Sequence, residues 1–243
     1  MRRDIHKDGI PVLCLACEAR HKGICGALAP EQLVELARAT TKRHIAPGSP
    51  VAGQSETAER YANILSGVVK LSRKLPDGRQ QIVGLQFAPD FLGRPFERQD
   101  DSIAEAATEV SVCSFPRTVL ERMMREGPGL EHLLLRQTLE ELDEAREWML
   151  TLGRKTAAEK VASFLLLIAR NIDPGSGPEG KAAAFELPLT RADIADFLGL
   201  TIETVSRQLT RLRSDGVIRI ENNRHVSVPN LAVLASRTGS AAG

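Results

Sequence analysis

The chain has 243 residues, 42% of them hydrophobic and only 4% aromatic, which is enough for one large or two smaller domains with an aliphatic core. A formal net charge of +1 argues against a protein that coats nucleic acid indiscriminately, but it allows a local basic patch. Residues 1–10 lack the apolar segment of a secretory signal, and no run of about 18 apolar residues occurs, so we expect a cytoplasmic protein without a membrane span.

Residues 1–30 hold three of the four cysteines, spaced C-x2-C-x7-C, at Cys14, Cys17 and Cys25. In a reducing compartment, clustered cysteines indicate a metal or redox site before they indicate disulfides. With Cys113 they make a set of four thiolates that suits zinc or an iron–sulfur cluster, and spacing alone does not decide between the two. A local zinc site is a further alternative, in which His21 joins the three N-terminal cysteines and Cys113 is a core residue.

After a short predicted helix over Pro30–Ala39, the region from about His44 to Phe115 consists of short apolar runs separated by Gly, Pro and Asp. This rhythm predicts short strands with tight turns, for which a small antiparallel barrel or jelly roll is the natural architecture. The runs are Tyr61–Leu65, Gly67–Leu71, Gln80–Phe87, Phe91–Leu92 and Glu109–Phe115. Pro76-Asp77-Gly78 predicts a turn between two of them.

A short helix over residues 117–125 should end at Gly127-Pro128-Gly129, and a long helix without a breaker follows over Leu130–Leu152. One stripe on the long helix alternates steps of three and four, as in a two-stranded coiled coil. It comprises Leu135, Thr138, Leu142, Ala145, Met149 and Leu152. A second apolar set would cover the chain's own barrel: Leu130, Leu133, Leu134 and Leu139. Two stripes on one helix predict a homodimer, and the alternative is a single amphipathic helix packed on one core.

Residues 190–228 carry the most specific pattern. Thr190 and Asp193 predict a capped helix that ends at Gly199, and Thr201 caps a second helix that runs to about Ser214. A short helix, a glycine turn and a second helix form the helix-turn-helix plan. The segments Val217–Ile220 and His225–Val228 predict a hairpin wing. Residues 232–243 are rich in Ala, Ser and Gly, and we expect them to be frayed.

One exposed face of the second helix predicts contact with the DNA major groove; it carries Ile202, Glu203, Ser206, Arg207 and Thr210. Arg can bond bidentately to guanine and Glu can accept from cytosine, whereas Arg211 and Arg213 would reach phosphates. The alternative is an ordinary solvated helix with an ion pair between Glu203 and Arg207.

The segment 193–207, Asp-Ile-Ala-Asp-Phe-Leu-Gly-Leu-Thr-Ile-Glu-Thr-Val-Ser-Arg, resembles the recognition motif of the CRP/FNR family of bacterial regulators, and the resemblance covers nearly the whole chain. It implies an α+β architecture: an N-terminal β jelly-roll (cyclic-nucleotide-binding-like) sensor barrel, a long dimerisation helix and a C-terminal winged helix-turn-helix. The implied boundaries are a cysteine-rich segment 1–30, a barrel 31–127, a dimerisation helix 128–153 and a DNA-binding domain 154–243. The resemblance implies that Glu203, Ser206 and Arg207 contact the bases.

Ile202 stands where the cAMP-binding branch of the family usually has Arg, and this resembles the FNR branch. That branch implies a TTGAT inverted repeat bound by a homodimer, and a [4Fe-4S] cluster, lost or converted by oxygen, on the four cysteines. The gap of seven residues between Cys17 and Cys25 is longer than in the best-known enterobacterial members and resembles the alphaproteobacterial FNR-like regulators. Two further segments share this resemblance: Asp90-Phe-Leu-Gly-Arg-Pro and Arg146-Glu-Trp-Met-Leu-Thr-Leu-Gly-Arg-Lys-Thr-Ala. The resemblance also implies that the turn Pro76–Arg79 touches RNA polymerase.

Other classes find less support. In the stretch where the family's nucleotide-binding members hold a cyclic phosphate, Asp100 and Asp101 would repel it, which weighs against a cyclic nucleotide even though Arg94 and Arg98 lie nearby. The sequence has no Gly-rich phosphate loop, nucleophile elbow or metal-binding His pair, and its five histidines are scattered, so we expect no enzyme. A regulator of the same fold, with a zinc site or another ligand and a different signal, is the alternative.

Overall fold

The computed structural model describes residues 9–51, 59–96, 102–172 and 182–239. The chain divides into two compact units, one of residues 1–73 and 84–142 and the other of residues 74–83 and 143–243. None of the helices in the described ranges combines the length and apolar content that a membrane span requires.

The N-terminal segment is a series of short helical turns. It comprises single 3-10 turns at Val12–Cys14 and Ile24–Ala27, helix α1 at Glu18–His21 and helix α2 at Pro30–Ala39, the last as predicted. Proline at the first position of α2 suits a helix start, because the N–H that proline lacks would have no hydrogen-bond partner within the helix at this position. The buried Leu33 and Leu36 fix this helix on the first unit.

The barrel is built from short antiparallel strands, which confirms the predicted architecture. They are β1 Thr41–Ile45, β2 Arg60–Ser66, β3 Val68–Lys74, β4 Gln80–Phe87, β5 Phe91–Leu92, β6 Ile103–Ala106 and β7 Val110–Pro116. They form two sheets, with the strand orders β1-β7-β2-β5 and β4-β3-β6. The sequence did not predict β6, and it missed most of β1, because in β1 only Ile45 is buried and the strand shows no alternation.

Strands β2 and β7 are buried on both faces, and this property positions the site. Successive side chains of a strand point to opposite faces. Ile64 and Val112 therefore enter the barrel core, whereas Tyr61 and Phe115 pack in a second core, against the N-terminal segment. In the register of the two strands, Asn63 pairs with Cys113, on the same face as Tyr61 and Phe115.

Helix α3, at Arg117–Glu126, leads into the long helix α4, at Pro128–Arg154. The predicted break is thus confined to Gly127, since Pro128 and Gly129 already belong to α4. Leu130 and Leu134 are buried in the second core, as the sequence predicted for the stripe that covers the barrel. The assignment of Leu139 to that stripe was wrong, because its side chain is 52% exposed.

The second unit contains a winged helix-turn-helix. Its elements are α5 Ala157–Ile172, β8 Ala183–Glu186, α6 Arg191–Leu198, α7 Ile202–Ser214, β9 Arg219–Glu221, β10 His225–Val228 and α8 Leu231–Ser236. The wing is a three-stranded antiparallel sheet of order β8-β10-β9, whose first strand was not predicted.

The expectation of a frayed C-terminus was wrong as far as Ser236. Asn230 caps α8 by accepting hydrogen bonds from the backbone N–H groups of Ala232 and Val233, and Leu231 and Leu234 are buried. The composition of residues 232–243 did not indicate this helix, because only two buried leucines are needed to hold its six residues in place.

Candidate nucleic-acid interface and metal centre

The second helix of the motif, α7, is held by caps and a buried face. Thr190 Oγ1 accepts from the Asp193 N–H at the start of α6, and Gly199 ends that helix at a left-handed φ of 61°. Thr201 Oγ1 then accepts from the Thr204 N–H at the start of α7. The buried side chains of α7 are Val205, Leu209 and Leu212.

The predicted DNA-binding residues all lie on the exposed side of α7. They are Ile202, Glu203, Ser206, Arg207, Thr210 and Arg211. Hydrogen bonds from its own backbone N–H and from Thr201 lower the pKa of Glu203, so its carboxylate is ionised and can accept from a base edge. Within the described residues no ion pair joins Glu203 to Arg207, which weakens the alternative of an ordinary solvated helix.

The fold brings the distant Cys113 to the N-terminal cysteines. Burial, followed by the neighbouring thiols of the other three cysteines, raises the pKa of Cys25 to about 12. Burial and the thiols of Cys17 and Cys113 raise the pKa of Cys14 to about 11. Burial and the Cys17 thiol raise the pKa of Cys113. Asn63 pairs with Cys113 across β7 and bonds to Cys25 Sγ, and the thiols shift one another's pKa, so the four cysteines are neighbours, here named the thiol site.

Positive and polar groups around the thiol site partly offset the rise in the pKa values of the cysteines. Lys42 lowers the pKa of both Cys14 and Cys113, and Arg20 lowers that of Cys14. The Thr40 hydroxyl also lowers the pKa of Cys113. These donors and cations favour thiolates, the form in which cysteine binds a metal.

Among the described residues, no three His, Cys, Asp or Glu side chains converge tightly enough to hold a single metal ion. A zinc ion with bonds of about 2.3 Å would bring four sulfurs to about 3.8 Å from one another. His21 is exposed, and its Nε2 lies 3.4 Å from the Leu15 carbonyl oxygen. The local zinc alternative therefore gains no support from the ligand geometry.

Sequence reasoning missed Asn63, which is fully buried on β2 and donates a hydrogen bond from Nδ2 to Cys25 Sγ over 3.3 Å. The available signal was an amide inside the apolar run Tyr61–Leu65, where a buried polar group requires a partner.

The predicted dimer stripe on α4 is largely uncovered in the single chain. Leu135 is 58% exposed, Leu142 43% and Met149 73%, Thr138 and Ala145 are also exposed, and Leu152 is half-buried. An apolar stripe of this length on one helix requires a covering surface.

The turn at Pro76–Arg79 forms as predicted between β3 and β4. Gly78 has a φ of 88°, and the Asp77 carboxylate accepts from the backbone and the guanidinium of Arg79. Both side chains remain more than half exposed, so the tip presents a fixed pair of opposite charges.

The first unit encloses a cavity of about 580 Å³. It is lined in part by Arg43, Arg60 and Arg94, but Arg60 is already bonded to the side chain and carbonyl of Ser114. Arg98, Asp100 and Asp101, on which the argument about a cyclic nucleotide depends, lie outside the described residues, so that argument stays a prediction.

Comparison with known proteins agrees with this architecture. Residues 159–237 match the family model of the Crp-like helix-turn-helix domain, and residues 42–126 match that of the cyclic nucleotide-binding domain. The structure of FixK2 from Bradyrhizobium japonicum superposes with a TM-score of 0.73 at 33% identity, over 84% of this chain and 99% of that one.

Sequence relatives span nearly the full length. A "Probable transcriptional activator" of Rhizobium leguminosarum bv. viciae is 56% identical over 95% of both chains. The transcriptional activator protein FnrL of Cereibacter sphaeroides is 41% identical over 93% of this chain and 92% of that one. The chain therefore belongs to the CRP/FNR family and is a DNA-binding transcription regulator rather than an enzyme.

Proposed function

We propose that the protein is an oxygen-responsive transcriptional activator of anaerobic and microaerobic genes. In this proposal, Cys14, Cys17, Cys25 and Cys113 hold a [4Fe-4S] cluster, and the loaded homodimer binds a TTGAT-type inverted repeat. The observation that carries it is the proximity of Cys113 to the N-terminal cysteines: Asn63 pairs with Cys113 across β7 and donates a hydrogen bond to Cys25. The names of two relatives, a probable transcriptional activator and the transcriptional activator protein FnrL, support the activator role.

The thiol site fits such a group by its donors. Four cysteines, of which Cys14 and Cys25 are buried, supply the soft ligands that iron–sulfur clusters require. Four thiolates also match the number of cysteine ligands that a [4Fe-4S] cluster takes. Cys14, Cys17, Cys25 and Cys113 would hold the cluster, which would supply the reactivity toward oxygen, and they would cease to be tied together when it is lost.

Residues of the second core connect the thiol site to the dimer helix. Cys14, Ile24 and Cys25 belong to the same buried cluster as Leu130 and Leu134 of α4. On α4, Leu135 follows Leu134 directly and begins the exposed stripe. A shift of the N-terminal segment therefore changes the packing on one side of α4 while the other side offers the dimer surface. In this proposal, the shared buried cluster links the state of the thiols to dimerisation.

Dimerisation in turn sets the affinity for DNA. A two-fold dimer places two copies of α7 about 34 Å apart, which matches one turn of the double helix. Only the dimer engages both half-sites at once, so a shift to monomer removes the gain from linked binding.

The test uses anaerobically purified full-length protein. We expect a brown protein with about four iron and four sulfide per chain that bleaches in air and then sediments as a monomer. Cys113→Ser should lose the iron, whereas His21→Ala, the matched control for a local zinc site, should keep it. A colourless wild-type protein that contains zinc would overturn the proposal. A dimer whose DNA affinity is unchanged after exposure to air would also overturn it.

We also propose that the exposed tip Pro76–Arg79 contacts RNA polymerase. Its support is the pair of opposite charges held outward by the turn.

A further inference from the structure

Asn63 is a buried polar residue in an otherwise apolar part of strand β2. Its neighbours Ala62 and Ile64 face the barrel core, and its own side chain is fully buried against the N-terminal segment. Burying an amide without full hydrogen bonding disfavours folding, and an apolar side chain would avoid that cost. Within the described part of the chain, Oδ1 of Asn63 has no hydrogen-bond partner. Asn63 is therefore unfavourable for the stability of the fold, which points to another role.

The strand register directs this amide to the thiol site. Asn63 pairs with Cys113 across β7 and with Phe91 across β5, so the three side chains share one face of the sheet. Cys25, from the N-terminal segment, packs over this face and receives the 3.3 Å hydrogen bond from Nδ2. Asn63 therefore lies between the sheet-borne cysteine and a cysteine of the N-terminal segment.

The chemistry of the amide suits both states of Cys25. Nδ2 donates to a thiolate, and after rotation of the amide Oδ1 can accept from a thiol. Neither leucine nor aspartate, the two residues closest in shape, can do both. The hydrogen bond can persist whether Cys25 is a ligand or a free thiol.

We infer that Asn63 is a positioning residue for the Cys25 thiolate, and that its N–H···S hydrogen bond slows oxidation of the centre held at the thiol site. This inference rests on the proposed function. A hydrogen bond to a ligand sulfur withdraws electron density, favours the reduced centre and so raises its reduction potential. Oxygen is the oxidant and takes the electron that the centre gives up, so loss of the hydrogen bond makes that transfer easier.

The experiment compares Asn63→Leu, Asn63→Asp and the wild type, loaded anaerobically. Loss of the hydrogen bond in Asn63→Leu should speed bleaching in air about fivefold. Asn63→Asp should bleach faster still, because a carboxylate repels the thiolate. The centre in both Asn63 variants should have a more negative reduction potential than the centre in the wild type. A merely structural role would not produce this change.

Tyr61→Phe is the matched control. It removes a buried hydrogen bond from the same strand and the same face, but Tyr61 bonds to Glu121 rather than to a cysteine. Its bleaching rate and potential should equal those of the wild type, while thermal unfolding of the cluster-free proteins reports any general loss of stability. Loss of iron from both Asn63 variants before any exposure to air, with full loading of Tyr61→Phe, would overturn the role in oxidation, because Asn63 would then be needed to hold the centre at all.

The two proposals fail in different ways. A wild-type protein without iron would overturn the proposed function, and this inference with it. A wild-type protein with about four iron per chain, but with unchanged bleaching and potential in Asn63→Leu and Asn63→Asp, would overturn only the role of Asn63.

Discussion

The Tyr61 hydroxyl donates a 2.8 Å hydrogen bond to Oε1 of Glu121 and so ties strand β2 to helix α3. The same oxygen accepts from the backbone N–H of Phe96 and from Nε of Arg117. Three donors on one buried carboxylate oxygen fix the point where the barrel passes into the helices. Both side chains of the Glu121–Arg117 pair are less than 15% exposed, so solvent screens them little.

This network predicts a graded loss of stability. Glu121→Ala should lower the free energy of unfolding by about 3 kcal/mol, because it removes the buried carboxylate that pairs with Arg117 and accepts from Tyr61 and Phe96. Tyr61→Phe should cost only about 1 kcal/mol, since the carboxylate keeps two donors. Urea unfolding of the cluster-free chain measures both. Equal losses in the two variants would contradict the network.

The network also predicts a dependence on pH. Burial raises the pKa of Glu121, but the hydrogen bonds and the charge of Arg117 outweigh it and hold the pKa below the usual 4.5. A lowered folded-state pKa means that the stabilisation is fully present above pH 4.5 and is lost as the pH falls through the folded-state value. Unfolding of the wild type should therefore become easier below pH 4.5 by more than that of Glu121→Gln. Parallel pH profiles of the two proteins would refute this.

Much of this fold follows from local sequence. The capping pair Thr190 and Asp193 and the glycine at Gly199 set the helix-turn-helix, and the structure reproduces both bounds of α6. Turn signals likewise located β4 and β5. These features are predictable because each depends on a hydrogen bond or a backbone angle within a few residues of the chain.

Features that depend on distant contacts were harder to predict. Strand β8 is short, and it belongs to the wing only because it pairs with β10. Asn63 contacts Cys25 across 38 positions of sequence, so nothing near it identified the partner. The resemblance proposed the grouping of Cys113 with the N-terminal cysteines, whereas spacing alone left it open.

The exposed stripe on α4 predicts that a charge at its centre will separate the dimer. Leu142→Glu would place two carboxylates against each other across a two-fold seam, and we expect a monomer with DNA affinity reduced at least tenfold. Analytical ultracentrifugation of loaded protein measures the first effect. Arg136→Glu adds negative charge to the opposite side of the same helix and should leave the dimer intact. A dimeric Leu142→Glu protein would place the interface elsewhere.

Substitutions on α7 should separate base reading from phosphate contact. Arg207→Ala should lose about 1–3 kcal/mol on the TTGAT repeat, and much less on a repeat changed at the base pair that Arg207 reads. Arg211→Ala should weaken binding to both repeats equally and reduce the slope of log affinity against log salt by about one. Fluorescence anisotropy over a salt series distinguishes the two patterns. Uniform weakening by Arg207→Ala would remove its base-reading role.

The turn at Pro76–Arg79 presents an exposed pair of opposite charges. Asp77 and Arg79 bond to each other and are exposed, so their replacement should leave both the fold and DNA binding unchanged. If the tip contacts RNA polymerase, the double variant Asp77→Ala/Arg79→Ala will occupy the promoter normally and yet activate transcription several-fold less. Transcription with purified polymerase, normalised to promoter occupancy, measures this difference. Gln80 begins β4 directly after the turn, and Gln80→Ala serves as a control that spares the charged pair. Full activation by the double variant would leave Pro76–Arg79 as an ordinary hairpin turn.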